Sequence, residues 1–383
     1  FSSFYFLIFT NLKKIMKNKL IYLTYQSFPA ETANSLQTIS TIKYFVKNNA
    51  EVELYFPLRN KESNSDIDKL KKYYNFQEEF KVIGLKHIYP FGKIKYFNKI
   101  LFHVSHFLWS KKYSNLIYKK NKDSYFFTRS ELIAYFLAKN GASVVFECHQ
   151  TSKLRNFVIK KLKNYENIKF IFLNENLFNF YNVREKSIIL HNGVDNELFI
   201  DKKNKKNNSL IFVGSLSRFN DSRGIEFVIN CFNNPKLSDF TFEIIGGNST
   251  EVKKIRKYIY KLGLEKRIRV HGRLNRDSIF EFLTISQIGL LINSRNNDHS
   301  YLYTSPLKYF EYLYADLNII ANDFPAHKLL PFSEYINFYK DENEESFVSQ
   351  LSELKYKNNL SKSDLNIITL DSRVKKIINF ISN

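Results

Sequence analysis

The sequence predicts an α/β protein of two Rossmann-like domains, each built on a parallel sheet, with the two sheets facing a central cleft. Three observations carry this expectation. The chain has 383 residues, more than one hydrophobic core usually organises. Short apolar runs alternate with helical patterns from Leu20 onward, the order expected of parallel sheets with right-handed crossovers. Residues 201–208, Asp-Lys-Lys-Asn-Lys-Lys-Asn-Asn, hold no apolar side chain and read as a linker. Residues 16–200 are therefore expected to form a first domain and residues 209–383 a second, whose last helix is a candidate to pack back on the first. Apolar residues at 44% and aromatic residues at 16% supply two cores and exclude a disordered chain.

The elements follow in order. Residues 20–24 form a short apolar strand, a loop covers 25–32, and Asn34 and Ser35 open a helix running through Val46. Strands are expected at 51–56, 124–128, 143–147, 169–173 and 187–190, with a helix at 131–139. Beyond the linker, strands are expected at 209–213, 240–245, 268–271, 288–292 and 318–321, and helices at 225–232, 278–284 and 306–314. Open parallel sheets bind ligands at their strand ends.

Charge is uneven. The net charge is +21, of which +15 lies in residues 1–200 and +6 in the remainder. Between Glu79 and Asp123 there is no acidic residue, and lysines from Lys81 through Lys93, Lys95 and Lys99 to Lys122 are interleaved with Phe91, Tyr96, Phe107 and Trp109. Residues 80–122 thus read as a basic, aromatic surface suited to an anionic bilayer, where each lysine contributes about 1 kcal/mol. Nucleic acid attracts the same charges, and a solvated lysine-rich face is the plain structural alternative. The near absence of arginine here and of any nucleic-acid motif argues against nucleic acid.

No apolar run reaches the roughly 20 residues of a spanning helix. The only methionine is Met16, so residues 1–15 read as an upstream extension or a fragment's edge, with a membrane-dipping tail as the alternative. Two cysteines, Cys148 and Cys231, form no framework and indicate a reducing compartment. The eight histidines are scattered, and neither a metal nor another cofactor is expected.

The strongest local signal is Thr304-Ser305-Pro306-Leu307-Lys308-Tyr309-Phe310-Glu311-Tyr312. Ser305 reads as an N-cap with Pro306 at the first helical position. The free N–H groups of Leu307 and Lys308, the helix dipole and the Lys308 charge then make an anion site. Glu311 lies near the same face and suits a ribose diol. Without further context, an ordinary capped helix carrying a Lys–Glu pair is the favoured reading of the run.

With that helix in place, the chain from Leu20 onward resembles the retaining glycosyltransferases of family 4, which have the GT-B fold. Residues 305–312 followed by Asn318-Ile319-Ile320-Ala321-Asn322-Asp323-Phe324-Pro325 resemble that family's donor-binding helix and the strand after it. Phe212-Val213-Gly214-Ser215-Leu216 and Arg223-Gly224-Ile225-Glu226 resemble its glycine loop and basic helix start. Asn192-Gly193-Val194-Asp195, Thr128-Arg129-Ser130 and Phe146-Glu147-Cys148-His149 resemble elements of its first domain.

The resemblance implies a nucleoside diphosphate sugar as donor and a glycan or lipid-linked acceptor, with the enzyme peripheral at the inner face of a plasma membrane. Glu311 matches the second carboxylate of the family's paired-glutamate motif, while Tyr303 stands where the first would be. Arg223 matches the cation that neutralises the departing diphosphate, with Lys308 beside it. Ser215 replaces a basic residue often found after the loop glycine, and Arg218 is the candidate substitute. Gly214, Gly272, Ser305 and Leu307 complete the expected donor site. His149 matches a histidine that faces the sugar, with a structural hydrogen-bonder as the alternative, and Thr32, Asn34 and Arg129 are expected on the acceptor loops, Arg129 being equally a candidate core salt-bridge partner. The readings held against this one are a nucleotide-sugar epimerase on the same scaffold, which needs carboxylates for proton abstraction, and a non-catalytic nucleic-acid-binding protein.

Overall fold

The structure, a computed structural model, describes residues 19–59, 61–91, 97–198, 205–218, 221–354 and 360–383. The expected extension at 1–15, Met16, Lys93, Lys95, Tyr96 and the first half of the polar run at 201–208 lie outside the described residues. The chain divides into two compact units. One runs through Leu190 and also takes Leu370–Asn383, and the other is His191–Thr369.

The first unit is built on seven parallel strands, β1 (Leu20–Leu23), β2 (Val52–Leu58), β3 (Lys81–Lys86), β4 (Tyr125–Thr128), β5 (Ser143–Cys148), β6 (Ile168–Phe172) and β7 (Ser187–Ile189). Their order across the sheet is β3-β2-β1-β4-β5-β6-β7. Central strands such as β1, Leu-Ile-Tyr-Leu, are buried at every position, as expected where helices cover both faces of a sheet. The edge strand β3 was not legible in the sequence. Its Lys-Val-Ile-Gly-Leu-Lys is only partly buried and is flanked by lysines.

Helix Asn98–Lys120 is also missing from the sequence reading, as are strand Ile336–Tyr339 and helices such as Ile67–Tyr74, Lys153–Leu162 and Ser249–Lys261. The buried face of Asn98–Lys120 carries Ser105, His106, Ser110 and Ser114 around Trp109 and Tyr113, whereas Val104, Phe107, Leu108 and Leu116 are exposed. Polar residues inside and apolar residues outside defeat a periodicity argument. One expectation is corrected as a result: Trp109 is fully buried and belongs to the core, not to a surface. The helix Leu370–Ser382 packs on helix Ala33–Lys47 and brings Val374 and Ile377 into the cluster around Tyr22, Phe45 and Phe56.

The second unit has six parallel strands, β8 (Ser209–Val213), β11 (Thr241–Ile245), β12 (Ile268–Gly272), β13 (Ile288–Leu291), β14 (Asn318–Asn322) and β15 (Ile336–Tyr339), with β9 (Ser217–Arg218) and β10 (Asp221–Ser222) forming a short hairpin. Their order, β12-β11-β8-β13-β14-β15, follows the same pattern as the first sheet. The unit starts before the position that the polar run indicates. The Asn192 amide donates to Ser305 Oγ at 3.1 Å and Val194 bridges to Thr369, which ties residues 191–198 to this unit.

Because Ile377 is completely buried in the first unit's core, Ile377→Ala should destabilise that unit by about 2–5 kcal/mol. Chemical denaturation followed by circular dichroism measures this. A loss below about 0.5 kcal/mol would mean that the last helix contributes no core to the unit.

Candidate active site

In both sheets the strand order reverses once, between β1 and β4 and between β8 and β13. Successive crossovers leave in opposite directions at such a point, and a crevice opens at the carboxyl ends of the two strands. Most of the expected site residues lie around these two positions.

In the second unit, β8 ends at Val213 and Gly214 follows with a φ of +143°. Here glycine is required by close approach. A Cβ at Gly246 would sit 1.9 Å from the Gly214 carbonyl oxygen, and the Gly214 N–H donates to Ile245 at 2.9 Å. Gly246 in turn donates to Gly272 at 2.6 Å, so the glycines after β8 and β11 and at the end of β12 are joined backbone to backbone. Lys308 Nζ lies over the Phe212 ring, 3.7 Å from its centroid, and within 3.5 Å of where a Cβ on Gly214 would be. Ser215 beside it is exposed. The side chain of Arg218 is outside the described residues.

Arg223 is buried, and its Nη1 donates to Asn293 Oδ1 at 2.9 Å. Behind it runs a directed chain of hydrogen bonds. The Asn322 carbonyl can only accept, so His327 Nδ1 carries the proton that it donates at 2.9 Å. His327 Nε2 therefore accepts from Asn293 Nδ2 at 3.2 Å, which leaves Asn293 Oδ1 to face the guanidinium. Burial pushes His327 down to about 4, and the Lys308 and Arg223 charges add to the shift over the opposing backbone bond. The imidazole is thus neutral, as the chain requires. Neither Asn293 nor His327 was singled out in the sequence. Their only signal is position, just after β13 and β14.

The helix expected to begin at Pro306 begins at Leu307, with Pro306 in the cap position and no side-chain cap. This corrects the role of Ser305. Its hydroxyl accepts from the Asn192 amide, and its carbonyl accepts from the Asn192 side chain, so Ser305 holds the segment that opens the unit rather than capping the helix. Glu311 is buried and accepts from Arg276 Nη2 at 2.8 Å through Oε1, a partner the sequence reading did not include. Tyr303 is buried at the end of the π-helical turn His299–Tyr303.

In the first unit, Glu147 near the end of β5 is fully buried. Arg129 Nε stands 2.9 Å from one of its oxygens and Arg373 Nη2 is 2.8 Å from the other. His149 Nε2 also reaches Glu147 Oε1. Burial opposes the charge on Glu147, but Arg129, Arg373 and His149 hold its carboxyl well below the usual range. Burial and then Arg129 push His149 down to about 4, against the attraction of Glu147. A neutral His149 facing a carboxylate must carry its proton on Nε2, so Nδ1 is an acceptor.

Arg129 Nη1 donates to Asn34 Oδ1 at 2.9 Å, which joins two of the expected acceptor-loop residues. The third, Thr32, caps helix Ala33–Lys47 by accepting from the Ser35 amide at 3.1 Å. Thr32 also lines the cavity at the carboxyl ends of β1 and β4. Asp66-Ile67-Asp68, an Asp-x-Asp run passed over in the sequence, caps helix Ile67–Tyr74 through Asp66. Among the described residues, no group of three or more His, Cys, Asp or Glu is arranged to hold a metal ion.

Residues 196–362 match the family model of the glycosyl transferases group 1. No curated protein matches the chain in sequence. Solved structures match over nearly the whole length. A glycosyltransferase from Rickettsia africae aligns with a TM-score of 0.68 at 14% identity, covering 95% of this chain and 98% of that one. HepE from Anabaena, in complex with UDP and glucose, aligns at 0.64 and 12% identity over 96% and 100%. Sucrose-phosphate synthase from Thermosynechococcus elongatus aligns at 0.65 and 10% identity over 96% and 95%. These likenesses establish the GT-B fold of two parallel-sheet α/β units.

Three histidines, the buried His106 and His327 and the partly buried His149, sit at about 4 against an ordinary 6.5. The unfolded chain binds protons that the folded chain does not between these values. The stability they contribute is therefore complete above about pH 6.5 and declines as the pH falls toward about 4. Thermal midpoints should fall between about pH 7 and about pH 5, and less steeply in a His106→Gln variant. A flat profile over that range would mean that these histidines are charged in the fold.

Proposed function

We propose that this chain, whose residues 196–362 carry the glycosyl transferases group 1 domain, transfers a hexose or related sugar with retention. The donor is a nucleoside diphosphate sugar, and the acceptor is a cell-envelope glycan or lipid-linked saccharide. The observation that carries the reading is the arrangement at the second unit's switch point. Lys308 is held over Phe212 beside Gly214, and Arg223 is fixed by Asn293.

Both cations are buried. A cation fixed before substrate arrives stabilises the charge that develops on a departing diphosphate without reorganising, which is where such groups contribute most. The start of helix Leu307–Tyr314, which has no side-chain cap, offers N–H groups to the same anion. Glu311 takes Arg276 on Oε1 and accepts a ribose hydroxyl on Oε2. His149 accepts from a sugar hydroxyl through Nδ1. The acceptor oxygen bonds to the anomeric carbon on the face from which the diphosphate leaves, and its proton passes to the departing phosphate oxygen. Arg223, Lys308 and the helix N–H groups supply the neutralisation in a metal-independent reaction.

The membrane part of the reading rests on helix Asn98–Lys120. Ile100, Val104, Phe107 and Leu108 are exposed large apolar residues on it, and Lys99, Lys111 and Lys112 are exposed beside them. No helix among the described residues is long and apolar enough to cross a membrane. An apolar stripe bordered by lysines fits an anionic bilayer surface, and we place the enzyme at the cytoplasmic face.

Calorimetric titration without added metal, against UDP, GDP, ADP and their common sugar derivatives, should show micromolar binding to one base. Arg223→Ala should weaken it about tenfold or more, and Glu311→Ala should weaken it as well. No binding at millimolar concentration would remove the donor site. For the membrane, co-sedimentation with phosphatidylglycerol-containing vesicles should exceed that with neutral phosphatidylcholine and should fall when Phe107 and Leu108 are changed to Asp. Tight RNA binding with no vesicle binding would overturn the bilayer assignment.

A further inference from the structure

The first unit contains a cavity of about 750 Å3, within the range of small-molecule sites. It lies at the carboxyl ends of β1 and β4, where that sheet reverses its order. Its wall is aromatic. Tyr25 stacks on His106 with ring centroids 4.4 Å apart and meets Phe102 edge-on at 5.7 Å, and Trp109 packs against Tyr25 at 5.4 Å.

Arg59 stands over this wall. Its guanidinium carbon is 4.8 Å from the Tyr25 ring centre and 5.4 Å from that of Phe91, while Nε donates to Ser27 Oγ at 2.8 Å. The cavity's other two arginines have carboxylates: Arg155 takes Glu131 at 2.8 Å and Arg129 takes Glu147 at 2.9 Å. Among the described residues, Arg59 pairs with none. Glu147, moreover, is shared with Arg373. The cavity therefore has an excess of fixed positive charge. A guanidinium stacked on rings and anchored through Nε presents its Nη edge in a fixed plane, the geometry that pairs with a carboxylate or a phosphate through two parallel bonds.

We infer that this cavity binds an acceptor sugar that bears a carboxylate or a phosphate, with the charged group on Arg59 and the ring against Tyr25 and Phe102. The inference rests on the transferase reading for the word acceptor, but its residues all belong to the first unit. The closed ion pairs of Arg155 and Arg129 leave Arg59 as the charge selector.

The test uses the whole chain and three probes, glucuronate, glucose 6-phosphate and neutral glucose. Binding is measured by calorimetry, and the fluorescence of Trp109, the chain's single tryptophan, reports occupancy behind Tyr25. At least one charged sugar should bind about tenfold or more tightly than glucose. Arg59→Gln should abolish that preference and Arg59→Lys should keep part of it. The tighter of the two charged probes identifies the anionic group. Glucose binding as tightly as both charged sugars, unchanged selectivity in Arg59→Gln, or no binding of any probe would each overturn the inference. Nucleotide titration on the same samples separates the causes. Retained nucleotide binding confines the failure to this cavity, and its absence removes the transferase reading as well.

Discussion

The reversal of strand order is the constraint on which both halves of this molecule depend. Parallel strands require crossovers, and right-handed crossovers leaving a central strand in opposite directions cannot cover its carboxyl end. In the second unit this opening lies between β8 and β13, which is why a backbone loop at Gly214, a cation from the next helix start and Asn293 gather there. In the first unit it lies between β1 and β4, and Tyr25 and Arg129 lie within two residues of those strands' ends. Two sheets of one order thus gather two clusters of different chemistry, because the residues after the strands differ.

Buried charge is held in place in both units. In the first unit a single carboxylate, Glu147, sits between two guanidiniums and a neutral histidine. An uncompensated charge there would cost several kcal/mol, so removing any member destabilises the others. In the second unit the Arg223 guanidinium donates to Asn293, which is backed by His327. The neutrality of His327, a product of its burial, preserves that arrangement.

Much of the architecture was legible because the central strands are continuous apolar runs bounded by turns and caps. The motif glycines and Lys308 were legible because glycine and a charge next to a helix start have few structural uses. Two of the elements that escaped notice share a physical character. Edge strand β3 is half exposed and lysine-flanked, and helix Asn98–Lys120 buries serines while exposing leucine and phenylalanine, so neither follows the expected burial pattern. Ser305 looked like a cap because a Ser-Pro pair usually is one, yet the Asn192 backbone competes for its hydroxyl. The Arg276 partner of Glu311 and the Asn293–His327 chain arise from side chains distant in sequence. No local pattern encodes them.

The position of Arg373 bears on how the molecule is assembled. Its bond to Glu147 spans 226 positions, and the helix that carries it fills the first unit's core. During synthesis the first unit therefore waits with an open flank while all of residues 191–369 are made. The second unit has every one of its strands before that helix emerges. The piece begun first is closed last, and its unfinished face, lined by Ile42 and Phe45, is the surface that the cell's folding machinery must shield in the interval.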